Sequence, residues 1–287
     1  MNHSVKITIL ADNKAEKNLD PEHGFSAWIE ASGICILFDT GQGTALAGNA
    51  LKLGIDLDGT DHLVLSHGHY DHGGGIVQVL RQAPESKVHL HPGAVIPRFV
   101  LDRQGRARAV GLSRDTVRFL AGLPENRIHW TTGKELLSPD IGLTGSIPRL
   151  NPHEDTGGPF FTDQKGNSRD FLPDDQAIWI EAPEGLAVIT GCAHSGIINT
   201  LNHVMAITGK TKIWTVVGGF HLMNASHSRM EETLNQLRKI SPDIIAPCHC
   251  TGEKALELIR EEFNPGFMPC HAGTVISLPR TGEPGQA

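Results

Sequence analysis

Residues 66–75 read Ser-His-Gly-His-Tyr-Asp-His-Gly-Gly-Gly and follow the apolar run Leu63-Val64-Leu65. Four side chains able to ligate a metal, His67, His69, Asp71 and His72, fall within six positions. A single ion cannot take all four at that spacing. His67 and His69 leave a strand end on the same side, because side chains in extended chain repeat every second residue. Asp71 and His72 follow a turn and point to a neighbouring place. One short peptide can therefore begin two adjacent metal sites, with imidazole and carboxylate donors suited to zinc, iron or manganese. A histidine-rich surface loop is the competing reading, and the flanking strand and glycines argue against it.

Composition narrows what such a loop can serve. The chain has 287 residues, 39% hydrophobic and 20% charged, which is ordinary for a globular protein. A formal net charge of −7 argues against broad electrostatic binding to nucleic acid or anionic membrane. No apolar run approaches the ~18 residues of a spanning helix. The N-terminal stretch becomes a strand at once and lacks the features of a signal peptide. The five cysteines, Cys35, Cys192, Cys248, Cys250 and Cys270, form no regular framework and suggest reduced thiols in a cytoplasm. Cys248 and Cys250 flank His249, and we read them as small buried hydrophobes near a metal in preference to thiolate ligands. Of the sixteen histidines, His3, His23, His62, His203 and His227 sit among polar or helical residues with no partner evident.

Strands and helices interleave through both halves. Strands are expected at 5–10, 25–30, 34–38, 62–65 and 88–90, with helices at 44–53 and from 75 to 81. The stretch from about 96 to 172 differs: it is rich in Arg, Gly, Pro, Asn and Asp, and only 115–120, behind Ser113, has helical character. It is expected as a substrate-side insertion on a regular scaffold. Its arginines, including Arg98, are either anion-recognition groups or solvated charges. Beyond it, strands are expected at 177–181, 186–190, 213–217, 244–246 and 275–278, and helices at 197–207, from a Ser228/Glu231 capping box, and at 255–263. Hairpins among the strands exclude a purely parallel doubly wound sheet. Two mixed sheets facing each other with helices outside would bury these strands on both faces.

Three more strands end as the opening motif does. Thr190-Gly-Cys-Ala-His194, Gly218-Gly-Phe-His221 and Pro247-Cys-His249 each place a histidine just past a strand, and Phe38-Asp39-Thr40-Gly41 ends one at a carboxylate. Five such endings in one chain mark a site, since sheet enzymes assemble their chemistry where strand ends converge.

The His-x-His-x-Asp-His string and these endings resemble the metallo-β-lactamase superfamily. The resemblance implies an α/β fold, an αββα sandwich of two mixed β-sheets with outer helices. It implies a single domain over 1–287, with the 96–172 insertion on the substrate side. By the same resemblance His67, His69 and His194 bind one metal, Asp71, His72 and His249 a second, and Asp39 braces the loop from behind. Many members carry a bridging Asp or Cys where this chain has Gly218-Gly219-Phe220-His221. His221 is then either a ligand in its place or marks a missing bridge. Asp175 is an alternative carboxylate at a different point in chain order. The strings Asp-Thr-Gly-Gln-Gly, Gly-Cys-Ala-His-Ser-Gly-Ile-Ile-Asn, Gly-Gly-Phe-His-Leu and Pro-Cys-His-Cys-Thr-Gly resemble the dihydropterin-methyl ribofuranosyl-aminobenzene phosphate synthase-like branch.

The implied cofactors are two divalent ions, zinc foremost, with iron or manganese as alternatives. The implied chemistry is hydrolysis by a metal-bound hydroxide, with Asp71 and His221 catalytic, on a small phosphate- or carboxylate-bearing substrate. A pterin-type transferase is the alternative, and a di-iron redox or sensor protein a second. The expected partner is a small molecule, not nucleic acid or membrane; a homo-oligomer is compatible with the sequence. His91, just past a strand, and His153, in the insertion, either line the pocket or are plain loop residues, and for His153 the surface-loop reading is preferred.

Overall fold

The computed structural model describes residues 4–278, so His3 lies outside it. A seven-stranded sheet runs in the order Val275–Leu278, Val5–Ala11, Ser26–Ala31, Ile34–Phe38, His62–Val64, Lys87–Leu90, Ile128–Trp130. Its first three pairings are antiparallel and its last three parallel. A six-stranded sheet faces it, in the order Ile244–Cys248, Ile213–Gly219, Gly185–Thr190, Ala177–Ala182, Ile141–Leu143, Glu135–Ser138, parallel for two pairings and antiparallel for three. Both sheets are therefore mixed.

Alternation along each strand assigns its side chains to layers. Ile7, Ile9, Ile36, Phe38 and Val64 meet Ile178, Ile180, Ala187, Ile189 and Val217 between the sheets. The residues in between face outward. Leu10, Leu37, Leu63 and Leu65 pack under the helices Leu46–Lys52 and Ile76–Gln82. Trp179, Leu186, Val188 and Val216 pack under Ile197–Thr208, His227–Ile240 and Glu253–Phe263. Burial on both faces explains why these strands read as continuous apolar runs. The result is the αββα sandwich. No helix among the described residues is long and apolar enough to cross a membrane.

Two local expectations need correction. The His227–Ile240 helix starts two residues earlier than a Ser228 cap implies: Ser226 is its N-cap, its hydroxyl accepting from Arg229 N, and Glu231 pairs with His227 at 3.2 Å. The stretch 96–172 also holds more regular structure than its sequence indicates. Ile128–Trp130 completes the first sheet, and Glu135–Ser138 with Ile141–Leu143 complete the second. The remainder forms the helix Arg114–Ala121, capped by Ser113, and a small sheet of Phe160–Phe161, Phe99–Leu101 and Ala107–Ala109.

Candidate metal centre

The donors stand where strands run out, and the backbone turns sharply there. Asp39, Ala193, His221 and His249 have φ of 59°, 53°, 46° and 51°, in the left-handed region that non-glycine residues enter at a cost. Strain of about 1–3 kcal/mol per residue persists only where surrounding contacts enforce it. At Asp39 and His249 those contacts include the side chains' own hydrogen bonds.

His67 Nε2 lies 2.9 Å from His69 Nδ1. His194 Nδ1 donates to the Thr156 carbonyl at 2.8 Å, which leaves Nε2 as the bare nitrogen; that atom is buried with no hydrogen-bond partner. The rings of these three histidines are 4.6, 4.6 and 4.9 Å apart, centroid to centroid. Beside them, His72 Nδ1 donates to Asp39 Oδ2 at 2.7 Å. Its Nε2 is then 3.2 Å from His249 Nε2 and 3.1 Å from Cys192 Sγ. His249 Nδ1 meets Asn13 Oδ1 at 3.0 Å. Asp71 Oδ2 completes this second cluster, 3.6 Å from His249 Nε2 and 3.9 Å from His72 Nε2.

The electrostatics favour ligation. Burial, reinforced by neighbouring imidazoles, holds His67, His69, His194 and His249 well below the usual histidine range, so these rings are neutral. Neutral imidazole is the ligating form. His72 runs the other way: burial opposes its charge, but the Asp39 carboxylate raises it to about 9. An ion at His72 must displace that proton. Facing imidazole nitrogens and an orphaned, buried His194 Nε2 are what a metal would satisfy, so the donor set fits one.

The metallo-β-lactamase superfamily profile matches residues 19–249. The chain belongs to the metallo-β-lactamase superfamily. An uncharacterised protein of Methanocaldococcus jannaschii is 34% identical over 95% of this chain and 100% of its own length. A 7,8-dihydropterin-6-methyl-4-(β-D-ribofuranosyl)-aminobenzene-5′-phosphate synthase of the same organism is 30% identical over 96% of this chain and 97% of its own. The solved structure of Tm1679, a metal-dependent hydrolase of the β-lactamase superfamily, superimposes with a TM-score of 0.81 at 30% identity, covering 95% of this chain and 98% of that one.

In this member of the metallo-β-lactamase superfamily the structure brings His67, His69, Asp71, His72, His194, His221 and His249 together, with Asp39 behind them, and adds residues the sequence did not single out. Cys192 is the chief addition. Its thiol is within 4.8 Å of donors from His67 and His194, from His72 and His249, and from His221 and Cys250. It therefore sits at the junction of the clusters, and Cys250 lies at their edge. The His221 ring centroid is 4.2 Å from that of His194, with Nδ1 buried and unpartnered. His23, which has no partner evident in the sequence, places Nε2 3.2 Å from Asp71 Oδ2.

Asp39 braces the loop from behind. Its Oδ1 accepts from Ser66 N at 2.7 Å and its Oδ2 from Ser66 Oγ at 2.6 Å, besides holding His72. Asp39→Asn is expected to weaken metal binding about 10- to 100-fold without unfolding the protein. A competition titration against a chromophoric chelator reads this; unchanged affinity would remove Asp39 from that role.

The run Asp174-Asp175-Gln176 ties the ligand loops to each other. Asp174 Oδ2 accepts from Gly68 N at 2.7 Å, Asp175 Oδ2 from Ser195 N at 2.7 Å, and Gln176 Nε2 donates to Leu65 O at 2.8 Å. Asp175 thus supports the turn after His194. Arg98 is neither solvated nor a free anion receptor: it is fully buried and forks onto Asp174 and Asp170. Gly68 must be glycine, since a Cβ there would lie 1.9 Å from Ala94 O and 2.5 Å from Arg98 Nη1.

Residues 154–160 cover the centre. Phe160 lies 4.9 Å from the His69 ring and 5.3 Å from His194, and Gly157 packs so tightly on His221 that a Cβ would clash. Glu154 anchors this cover by accepting from Ile198 N and Asn199 N at 2.9 and 2.8 Å, capping a helix whose N-cap residue is glycine. Glu154→Ala strands two buried N–H groups and is expected to cost about 2 kcal/mol, read as a lower midpoint in thermal unfolding. His153 is exposed on the same segment, and His91 caps its own turn through Gly93 N.

Proposed function

We propose that the chain is a metal-dependent hydrolase that holds two divalent ions, zinc foremost, and acts on a small anionic substrate. The observation that carries the reading is the pair of converging donor clusters, His67/His69/His194 and Asp71/His72/His249, with Cys192 between them. When bound, the metals supply Lewis acidity and a water of lowered pKa. The chain's own groups do the rest. Asp71, its carboxylate 3.2 Å from His23 Nε2, orients the attacking water and accepts its proton. His221, with its unpartnered Nδ1 beside the first cluster, passes a proton to the leaving group. Phe160 and the Thr156–Gly157 backbone exclude bulk water from above.

An anionic substrate draws its support from the phosphate in the synthase relative's name, not from Arg98, whose charge is spent on Asp170 and Asp174. The same relative supports a second reading, a transferase of pterin type. Turnover of phosphate esters in ¹⁸O-water by the zinc-loaded protein separates the two. One ¹⁸O per product molecule is expected; a product joining two organic fragments without ¹⁸O would replace hydrolysis with transfer.

A further inference from the structure

Three histidines that this centre does not use meet at the far edge of the first sheet. His62, His89 and His129 come from the neighbouring parallel strands His62–Val64, Lys87–Leu90 and Ile128–Trp130. In register, Val64 pairs with His89 and His89 with His129. Val64 faces the space between the sheets, so His89 and His129 face it too. Glu135, first residue of the second sheet's edge strand, meets them there.

His89 Nδ1 is 3.1 Å from Glu135 Oε1, and His129 Nδ1 is 3.6 Å from the same oxygen. The two rings stack at 4.6 Å and 19°. One donor atom from each of the three residues lies within 4.8 Å of the others. Behind them, His62 Nδ1 is 2.9 Å from His89 Nε2. The plain alternative is a hydrogen-bonded chain, His62 to His89 to Glu135. That chain satisfies His89 but leaves His129 unexplained: its Nδ1 is too far from the shared oxygen to bond it, and its Nε2 is buried without a partner.

We propose that His89, His129 and Glu135 form a separate site for a divalent transition cation of the zinc type, with His62 orienting His89. Two imidazoles and a carboxylate suit zinc and leave a fourth position to water. With His89 Nδ1 on the ion, its Nε2–H donates to His62 Nδ1, a contact of the kind that fixes a ligand ring. Burial, with His62, His129 and Lys87 alongside, holds His89 at about 3, so its ring is neutral at physiological pH. Asp61 and Lys87 are the charged groups that bear on His62; Arg127, donating to Ser86 O, and Lys134, donating to Ile207 O, flank the same edge. The ion would clip the edge strand of one sheet to the edge strand of the other.

The test is metal counting. Full-length protein is stripped, saturated with Zn²⁺, desalted and assayed by elemental analysis. His129→Ala/Glu135→Gln, at two half-buried positions, should carry one equivalent fewer than wild type and gain less in unfolding midpoint from added Zn²⁺. His67→Ala/His194→Ala should retain that equivalent. Equal stoichiometry and equal midpoint gain in the His129→Ala/Glu135→Gln protein would overturn the proposal. A second measurement leaves the edge residues untouched: saturating Zn²⁺ added to His67→Ala/His194→Ala protein should shift the imidazole ¹⁵N signals of His89 and His129. Unmoved signals also overturn it.

Discussion

His69→Ala will abolish the metal-dependent activity and lower the bound metal in the same stroke. His69 is nearly inaccessible, and its Nδ1 faces His67 Nε2 at 2.9 Å. Alanine keeps the extended backbone but removes one of the three imidazoles of the first cluster, leaving His67 and His194 with only the Cys192 thiol beside them. A metal's electrostatic contribution at a reacting oxygen is several kcal/mol. The loss in kcat/KM is therefore on the order of 10³-fold or more. The Phe160 contact, at 4.9 Å from the same ring, contributes packing only, so far-UV circular dichroism should be unchanged. Paired measurements of metal content and turnover decide it. A variant that keeps both would sink the whole assignment of the centre.

Asp174→Ala is expected to have the largest effect on stability. Asp174 is fully buried and takes two of the Arg98 guanidinium nitrogens as well as Gly68 N. Removing it leaves Arg98 with Asp170 and the Gly93 carbonyl, one of its two compensating charges gone. Breaking one partner out of a buried ion pair costs about 3–5 kcal/mol, because the remaining charge is stranded out of water. At about 2–4 °C per kcal/mol the midpoint should fall by roughly 10 °C. The same change frees the Gly68 amide, so metal affinity should fall with stability. Calorimetry and metal titration on one preparation read both. A midpoint within 2 °C of wild type would mean the guanidinium is satisfied without Asp174.

The parts of this fold visible in the sequence are those where chemistry is compressed into a few adjacent residues. Ile34–Phe38 and Val275–Leu278 were legible to the residue because their strands are short apolar runs between turn residues. The donors at positions 67 to 72, 194 and 249 were legible because each follows such a run. Ile128–Trp130 and Glu135–Ser138 were not: they are three and four residues long, partly exposed, and carry His, Trp and Glu where a core strand would carry Val or Ile. Ser226 and Ser228 are equally good caps by composition, and only the Arg229 N–H decides between them. Thr156 acts on His194 through its carbonyl, which no side-chain pattern reports. Asp174 finds its meaning only beside Arg98, 76 positions away in sequence. Cys192 looked like one more residue at a strand end, since its place between the clusters depends on three separate loops meeting.

The candidate ligands are drawn from both sheets, four from the 67–72 loop and two from the turns after Thr190 and Cys248. Neither half of the chain can assemble the centre alone. Metal uptake and the docking of one sheet on the other are thus linked, each favouring the other. Each tenfold rise in free metal above its dissociation constant should lend the sandwich about 1.4 kcal/mol. Metal shortage would therefore cost such a protein turnover and, on top of that, part of the stability that its apolar core supplies alone, so proteolysis should quicken as catalysis fades.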